Sequence, residues 1–290
     1  MTPEKTSTAT VAKRELPLIS VCLPVYNSAE YIEAAIASVV AQTYGAWELI
    51  IVDDCSTDET SVVLDRIIAG LGDSRILRYT NSTRLGMVGN WNRSVSLATG
   101  EFIKLIGQDD VLKRDCLANQ ARGLIDHPSV TVVGSARQVV NAAGRPIMVR
   151  RCFPGEGIYD GRETIRRCLS TGTNIIGEPV SILFRTISLA ETEPFSESIT
   201  YCTDLDMWLR LLTFGDFYYI PEPQTLYRIH DGAATRKLEN EVIADFFRLA
   251  DRMIATGYFQ LSPTQRRFLA VKVRLLGFAR RLIYRLLARG

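Results

Sequence analysis

The chain has 290 residues, 47% hydrophobic and 23% charged, with a formal net charge of +2. This length and balance suit one large α/β domain, or a main domain with an extension, and exclude a disordered or low-complexity chain. No apolar run reaches the ~18–20 residues that span a bilayer, and the six cysteines form no CxxC pair or zinc-ligand spacing, so buried reduced thiols are expected.

Residues 1–15 are polar and Thr-rich, lack the apolar stretch of a secretory signal, and read as a flexible tail. A cytoplasmic setting is therefore the expectation. Ile19–Val25 (ISVCLPV) has the length and apolarity of a buried strand, and residues 29–42 follow with helical spacing behind the capping candidate Ser28. Residues 48–54 (ELIIVDD) make a second buried strand, and residues 58–70 a helix that Ser56 or Thr57 could cap. Strand then helix recur at 75–80 and 87–98, and again at 101–106 and 114–125. Repeated βαβ units with short connections imply a mostly parallel sheet covered by helices on both faces.

Beyond residue 130 the pattern changes. Val130–Val140 and Pro146–Arg150 flank an Ala-Ala-Gly turn and read as a hairpin. Residues 161–170 and 204–214 are expected as helices, and 180–185, 217–220 and 224–229 as short strands. Residues 239–256 and 264–289 close the chain as helices.

In parallel α/β sheets, ligands bind beyond the carboxyl ends of the strands. Those ends carry Pro24-Val25-Tyr26-Asn27, then Asp53-Asp54, then Gly107-Gln108-Asp109-Asp110. Either acidic pair alone could be a helix cap. Two pairs at equivalent strand ends would repel without a cation, and an oxygen-rich set suits Mg²⁺ or Mn²⁺ shared with substrate phosphates.

Five blocks in order, LPVYN, VDDCSTDET, ATGEFIKLIGQDD, TDLDMWLRL and LYRIHDGAAT, resemble glycosyltransferase family 2, the inverting enzymes of GT-A fold. The resemblance runs from Leu18 to Thr235. It implies a GT-A domain over residues 16–235, a Rossmann-like sheet flanked by helices, with a helical extension over 236–290. Pro24, Tyr26 and Asn27 would belong to the nucleotide site, with Pro24 and Tyr26 lining the base pocket. Asp54 would accept a hydrogen bond from the base, Asp53 would support its turn, and Arg84 stands where a family arginine reaches the base. Asp109 would face the ribose and Asp110 would bind a Mn²⁺ or Mg²⁺ ion bridging the diphosphate. Gln108 stands where an acidic residue is common. Asp204 matches the family's general base, with Thr203 in place of the usual preceding Glu. His230 would be a second ligand of metal or diphosphate, and Asp231 and Gly232 would belong to a segment closing over the donor. Glu178, in a Gly-Glu-Pro that resembles the family's acceptor-side loop, would border the acceptor, and Trp208, four residues after Asp204, is placed there by its helical spacing.

The reaction implied is transfer of a sugar from a nucleotide-diphosphate donor to a hydroxyl of a glycan or polyprenyl-linked acceptor. UDP is the first expectation for the nucleotide and dTDP the next, because family members of bacterial surface-polysaccharide pathways use both; GDP stays open. Two rivals are a non-catalytic nucleotide-sugar-binding or scaffold protein and a nucleotidyltransferase. The latter would want a glycine-rich, basic loop that LPVYNSAEY lacks.

Residues 252–290 carry nine of the 34 Lys/Arg and no Asp/Glu, leaving 25 basic against 32 acidic side chains before them. On a helix over 264–289, Arg267, Arg274, Arg281 and Arg285 form one strip, with Phe268, Leu275, Leu276, Leu282, Ile283 and Leu286 beside it. Such a helix suits an anionic membrane surface, which would place the protein peripherally on the inner face of the cell membrane. Packing on the main domain with a solvated basic rim is the alternative. Aromatic residues do not alternate with the basic strip, which argues against nucleic acid.

Overall fold

A computed structural model describes residues 15–230, 232 and 241–287, with side chains to residue 279. The sheet begins β1 (Ile19–Val25), β2 (Trp47–Asp53), β3 (Ile76–Thr80) and β4 (Phe102–Leu105), interleaved with α1 (Ile32–Val40), α2 (Thr60–Leu71) and α3 (Gly86–Ser96). β5 (Val111–Leu112), α4 (Cys116–Ile125), β6 (Val130–Val140), β7 (Pro146–Arg150), β8 (Gly157–Tyr159) and α5 (Gly161–Thr171) follow. A 3₁₀ turn (Pro179–Ser181) then leads to β9 (Ile182–Arg185), α6 (Thr186–Ala190), α7 (Thr203–Leu211), β10 (Asp216–Arg228), α8 (Val242–Ala255) and α9 (Pro263–Leu287).

The strand order is β3-β2-β1-β4-β9-β6-β10-β5, with β7 on β6 and β8 on β10. β3, β2, β1 and β4 are parallel, β9 is antiparallel to both β4 and β6, and β10 runs parallel to β6. Alternation divides β1 between two cores. Ile19, Val21, Leu23 and Val25 pack with α1, α2 and α4, whereas Cys22 faces the core shared with α3, α5, α7, α8 and α9. Pro24 is accommodated because β1 pairs with β4 only as far as Cys22, whose carbonyl accepts from Ile106 N at 3.0 Å. Two residues on, Pro24 has no N–H to give on that side, where the ladder has already ended.

The βαβ half matches the expectation to within a few residues. Farther on, the expected strands 217–220 and 224–229 are one strand, β10, with a register irregularity between Ile220 and Thr225. Pro221 and Pro223 remove two donors there, so the chain bulges and resumes its pairing with β6. The short strands β5 and β8 and the helix α6 had no signal strong enough to be expected. Ser28 does not cap α1 with its side chain; its carbonyl accepts from Tyr31 N at 3.0 Å and Ile32 N at 3.1 Å.

Helix α8 holds α7 in place. Buried Asp245 on α8 accepts from Tyr201 N at 2.7 Å and Cys202 N at 3.3 Å, capping the start of α7 from another element. Buried Asp206 on α7 pairs with Arg210 at 2.9 Å and with Arg252 of α8. Trp208 is 0% exposed, and its indole donates to Gly177 O at 3.1 Å. Gly177 has φ +146°, and a Cβ there would lie 2.6 Å from Ser181 Oγ. Trp208 therefore fastens a loop that only glycine fits. Trp208→Ala should cost about 3–5 kcal/mol, read as a lower denaturation midpoint; a loss below 1 kcal/mol would contradict this packing role.

Candidate active site

The strand ends of β1, β2 and β4 meet as expected, and hydrogen bonds lock their loops to one another. Asn27, at φ +50°, donates its N–H to Ser56 Oγ at 3.0 Å and accepts from Thr57 N at 2.8 Å. Asp53 Oδ1 accepts from Ser56 N at 3.0 Å and Ser56 Oγ at 2.6 Å, so it does support the second loop. Ser56 is thereby engaged, and the start of α2 is served by Asp58, whose Oδ1 accepts from Thr60 N at 3.0 Å.

Gln108 joins the first loop to the fourth. Its Oε1 accepts from Tyr26 N at 2.7 Å while its Nε2 donates to Tyr26 O at 3.0 Å. An ionised acid could not donate the second bond, which gives a physical reason for Gln at a position where an acidic residue is common in the family it resembles. Gln108→Glu should therefore cost about 1–3 kcal/mol and weaken nucleotide binding through the Tyr26 loop. An unchanged urea midpoint together with unchanged nucleotide affinity would count against it.

Two of the nucleotide-site expectations are altered. Pro24 lies buried within β1, one residue short of the open loop. Asp54 is 1% exposed and accepts three hydrogen bonds from the chain itself: Leu85 N at 2.7 Å, Asn81 Nδ2 at 2.9 Å and Gly86 N at 2.8 Å. Its carboxylate is committed to the start of α3 and to the loop that carries Arg84, where the sequence reading gave it to the base. What faces outward is Tyr26 with the exposed Arg84 guanidinium 4.0 Å from its ring centroid. That stack is a preformed flat cationic surface.

Asp109 and Asp110 converge. A Cβ placed on Gly107 would lie 2.8 Å from Asp110 Oδ2 and 2.9 Å from Asp109 Oδ1, so both carboxylates aim at the space that glycine leaves. Asp110 is 5% exposed, and its Oδ1 accepts from Arg228 N at 3.0 Å. Burial first, and the Asp109 charge second, push the Asp110 carboxyl well above the usual carboxylate range. His230 Nε2 lies 2.8 Å from Asp109 Oδ2, and its ring packs against Tyr31 at 5.0 Å. Among the described residues no group of three or more His, Cys, Asp or Glu is already set to hold a metal. Two convergent carboxylates nevertheless fit a Mg²⁺ or Mn²⁺ ion that takes its other ligands from substrate phosphates. Asp231 lies outside the described residues; Gly232 sits beside the His230 ring.

Asp204, in the first turn of α7, faces a cavity lined also by Arg150, Asn174, Glu178, Val273 and Gly277. Burial raises its carboxyl to about 7, against the Leu205 N–H that donates to Oδ1 at 2.7 Å; the Glu178 charge adds to the rise. Asn174 Nδ2 reaches Oδ2 at 3.3 Å. Glu178 is a different kind of carboxylate. Burial would raise it, yet Arg137 and Arg150 outweigh that and hold it below the usual range. Arg150 Nη1 sits 3.1 Å from Oε1, and Arg137, itself 0% exposed, pairs with Oε2. Glu178 is thus clamped at the cavity wall, and Trp208 lies in the core behind it, where no acceptor can stack on it.

The reading from sequence missed Arg137, Arg150 and Asn174. Arg137 carried a signal: it is the single charge in the eleven-residue run of β6, and an isolated arginine there needs a buried partner. The Asp110 and Asp204 ends of the site adjoin through β10. Tyr227 lines the Asp204 cavity, and the next residue supplies the N–H that binds Asp110.

A family model described as glycosyl transferase family 2 matches residues 20–191, a stretch ending before Asp204 and His230. The UDP-Glc:alpha-D-GlcNAc-diphosphoundecaprenol beta-1,3-glucosyltransferase of Escherichia coli is 28% identical over 67% of this chain and 70% of its own. The S. aureus TarS 1-349 structure in complex with UDP-GlcNAc superposes with a TM-score of 0.68 at 18% identity, covering 88% of this chain and 71% of that one. The Pyrobaculum calidifontis mannosyltransferase in complex with GDP-Man and Mn²⁺ gives 0.58 at 18% identity, over 95% and 84%. Both structures share the fold.

Proposed function

The chain belongs to glycosyltransferase family 2, and from that premise we propose that it is a metal-dependent inverting enzyme. It would move a sugar from a UDP- or dTDP-linked donor to a hydroxyl of a glycan or lipid-linked acceptor in bacterial surface-polysaccharide synthesis. Residues 16–235 would carry the reaction. The observation behind this reading is Asp204, a carboxylate raised to about 7 on a cavity beside the convergent Asp109–Asp110 pair.

The base would stack on Tyr26 and Arg84, with Asp53, Asp54 and Asn27 fixing those loops. Asp109 would meet the ribose, oriented by His230. A divalent cation held by Asp110 would neutralise charge gathering on the departing diphosphate. Asp204 would take the proton of the acceptor hydroxyl as the oxygen attacks the anomeric carbon, and the bond to the diphosphate breaks on the opposite side. A double displacement would need a second available carboxylate. Glu178, the obvious candidate, is held by two arginines. The E. coli relative, whose name specifies a diphosphoundecaprenol acceptor, supports a lipid-linked substrate. An anionic membrane surface would be a partner through residues 264–289, at the cytoplasmic face.

Thermal shifts with UDP, dTDP, GDP and CMP, each with and without Mn²⁺, test the donor assignment, because a ligand of the folded state raises its stability. A Mn²⁺-dependent shift confined to UDP or dTDP is expected. No shift with any nucleotide would refute the donor site.

A further inference from the structure

The last helix is apolar on two opposite sides. Leu269 and Val273 are 4% and 3% exposed, and Leu276 approaches the loop at Gly172, so one side packs on the domain. Lys272 Nζ donates to Ser170 O at 3.0 Å on the flank of that contact. About half a turn away stand Phe268, Val271, Leu275 and Phe278, which are 73%, 53%, 65% and 64% exposed. Spacings of three, four and three residues put these four on one stripe. Arg267 and Arg274 border it, both exposed. Burying nonpolar side chains inward satisfies the packing alternative of the sequence reading, yet it leaves the second stripe uncovered among the described residues. Side chains of Arg281, Leu282, Ile283, Arg285 and Leu286 lie outside the described residues.

The inward side does more than pack. Val273 and Gly277 line the same cavity as Asp204, so α9 is one wall of the space where the acceptor hydroxyl would be deprotonated. Two rows of one helix are separated by its diameter, ~10–12 Å with side chains. We infer that α9 seats its outer row, Phe268, Val271, Leu275 and Phe278, in an anionic lipid surface while its inner row closes the acceptor cavity, so that the enzyme serves acceptors anchored in that surface and carrying about one or two sugars.

Charge complementarity selects the lipid over a second copy of the chain. The stripe is bordered by arginines, and residues 252–290 hold nine basic and no acidic side chains, so two copies face to face would repel. An interfacial helix of this kind buries its apolar row just below the headgroups and meets their phosphates with its basic rim. One helix width then separates the headgroups from Asp204. A long polymer growing far from the membrane would present its end out of reach, whereas the sugar next to a lipid diphosphate would lie at the cavity. This inference rests on the transfer reading for its acceptor, but not for its surface.

Flotation with phosphatidylcholine vesicles, with and without phosphatidylglycerol, reads the surface directly. The full chain should bind the anionic vesicles, and Phe268→Ser with Phe278→Ser should weaken binding by more than ~10-fold. Arg267→Gln with Arg274→Gln should reduce the preference for the anionic vesicles at least ~10-fold. Both pairs are exposed, so the melting temperature should hold. In parallel, transfer to a lipid-linked monosaccharide in those vesicles should fall at least ~10-fold in the phenylalanine variant, while donor hydrolysis by water stays at the wild-type rate. Equal flotation of wild type and variants, or no flotation of wild type, overturns the inference. So does a wild-type dimer in light scattering that the phenylalanine variant splits, since a second copy would then own the stripe. Loss of all donor turnover in every form would sink the transfer reading and leave the flotation result standing.

Discussion

Asp204→Asn is expected to lower turnover by ~10²–10⁴-fold while leaving nucleotide-sugar affinity unchanged. The amide is isosteric and its oxygen can still accept from Leu205 N, but its nitrogen can neither accept from Asn174 Nδ2 nor take a proton. Two further readouts separate this from misfolding. Burial raises the Asp204 carboxyl to about 7, so the base is protonated below that value and free above it. Wild-type kcat/KM should therefore climb with pH through about 7 and level off, and the variant's residual rate should lose that step. The raised carboxyl also means that the native state binds the proton more tightly than the unfolded chain, in which Asp titrates near ~3.9. Stability supplied by that proton is lost as pH rises through about 7, so at pH 8 the asparagine variant should melt no lower than wild type. A variant that turns over at the wild-type rate, or a flat wild-type profile between pH 6 and 8, would remove Asp204 from the base role.

Asp110→Ala is expected to abolish any Mn²⁺-dependent nucleotide shift and to reduce transfer by at least ~10³-fold, the scale of losing one strong electrostatic partner of the transition state. The structural reason is the convergence over Gly107. With Asp110 gone, Asp109 still contacts His230, but the second carboxylate aimed at that space is missing. Folding should survive, because removing a buried carboxylate whose charge is disfavoured by burial and by Asp109 offsets the loss of the hydrogen bond from Arg228 N, about 1–3 kcal/mol. Calorimetric titration of Mn²⁺ with UDP present checks this. Wild-type metal affinity in the variant would mean that the ion is held elsewhere.

The strand ends were the most legible part of the molecule. An apolar run followed by a polar cluster is a local signal, and it placed Tyr26, Asp53, Asp54 and Asp109–Asp110 around one edge of the sheet. Which atoms face a ligand was not local. The family resemblance gave Asp54 to the base, but Asn81, Leu85 and Gly86 lie 27 to 32 residues away and claim its carboxylate. Trp208 looked like an acceptor platform from its helical spacing to Asp204, yet the loop at Gly177 arrives from 31 residues upstream and covers it. The clamp on Glu178 joins β6, β7 and the 3₁₀ turn, three segments that periodicity cannot bring together. In β10 the two prolines imitated a strand boundary, and only the pairing with β6 keeps the strand continuous.

The same limit applies to the last helix. Its amphipathic pattern was visible as an arginine strip beside an apolar sector, but a single projection cannot divide that sector between a domain and a solvent-facing stripe. Val273 and Phe278 differ only in which neighbour reaches them: 3% exposed in one case and 64% in the other.

Single displacement with Asp204 as the base is tested most directly by the configuration of the sugar first released when water takes the acceptor's place. Wild-type protein, Mn²⁺ and an α-linked UDP-sugar are followed by proton NMR from the first minutes, before the free sugar re-equilibrates. Early accumulation of the β-anomer, absent in Asp204→Asn, is the predicted result. Early accumulation of the α-anomer would show retention and contradict the mechanism.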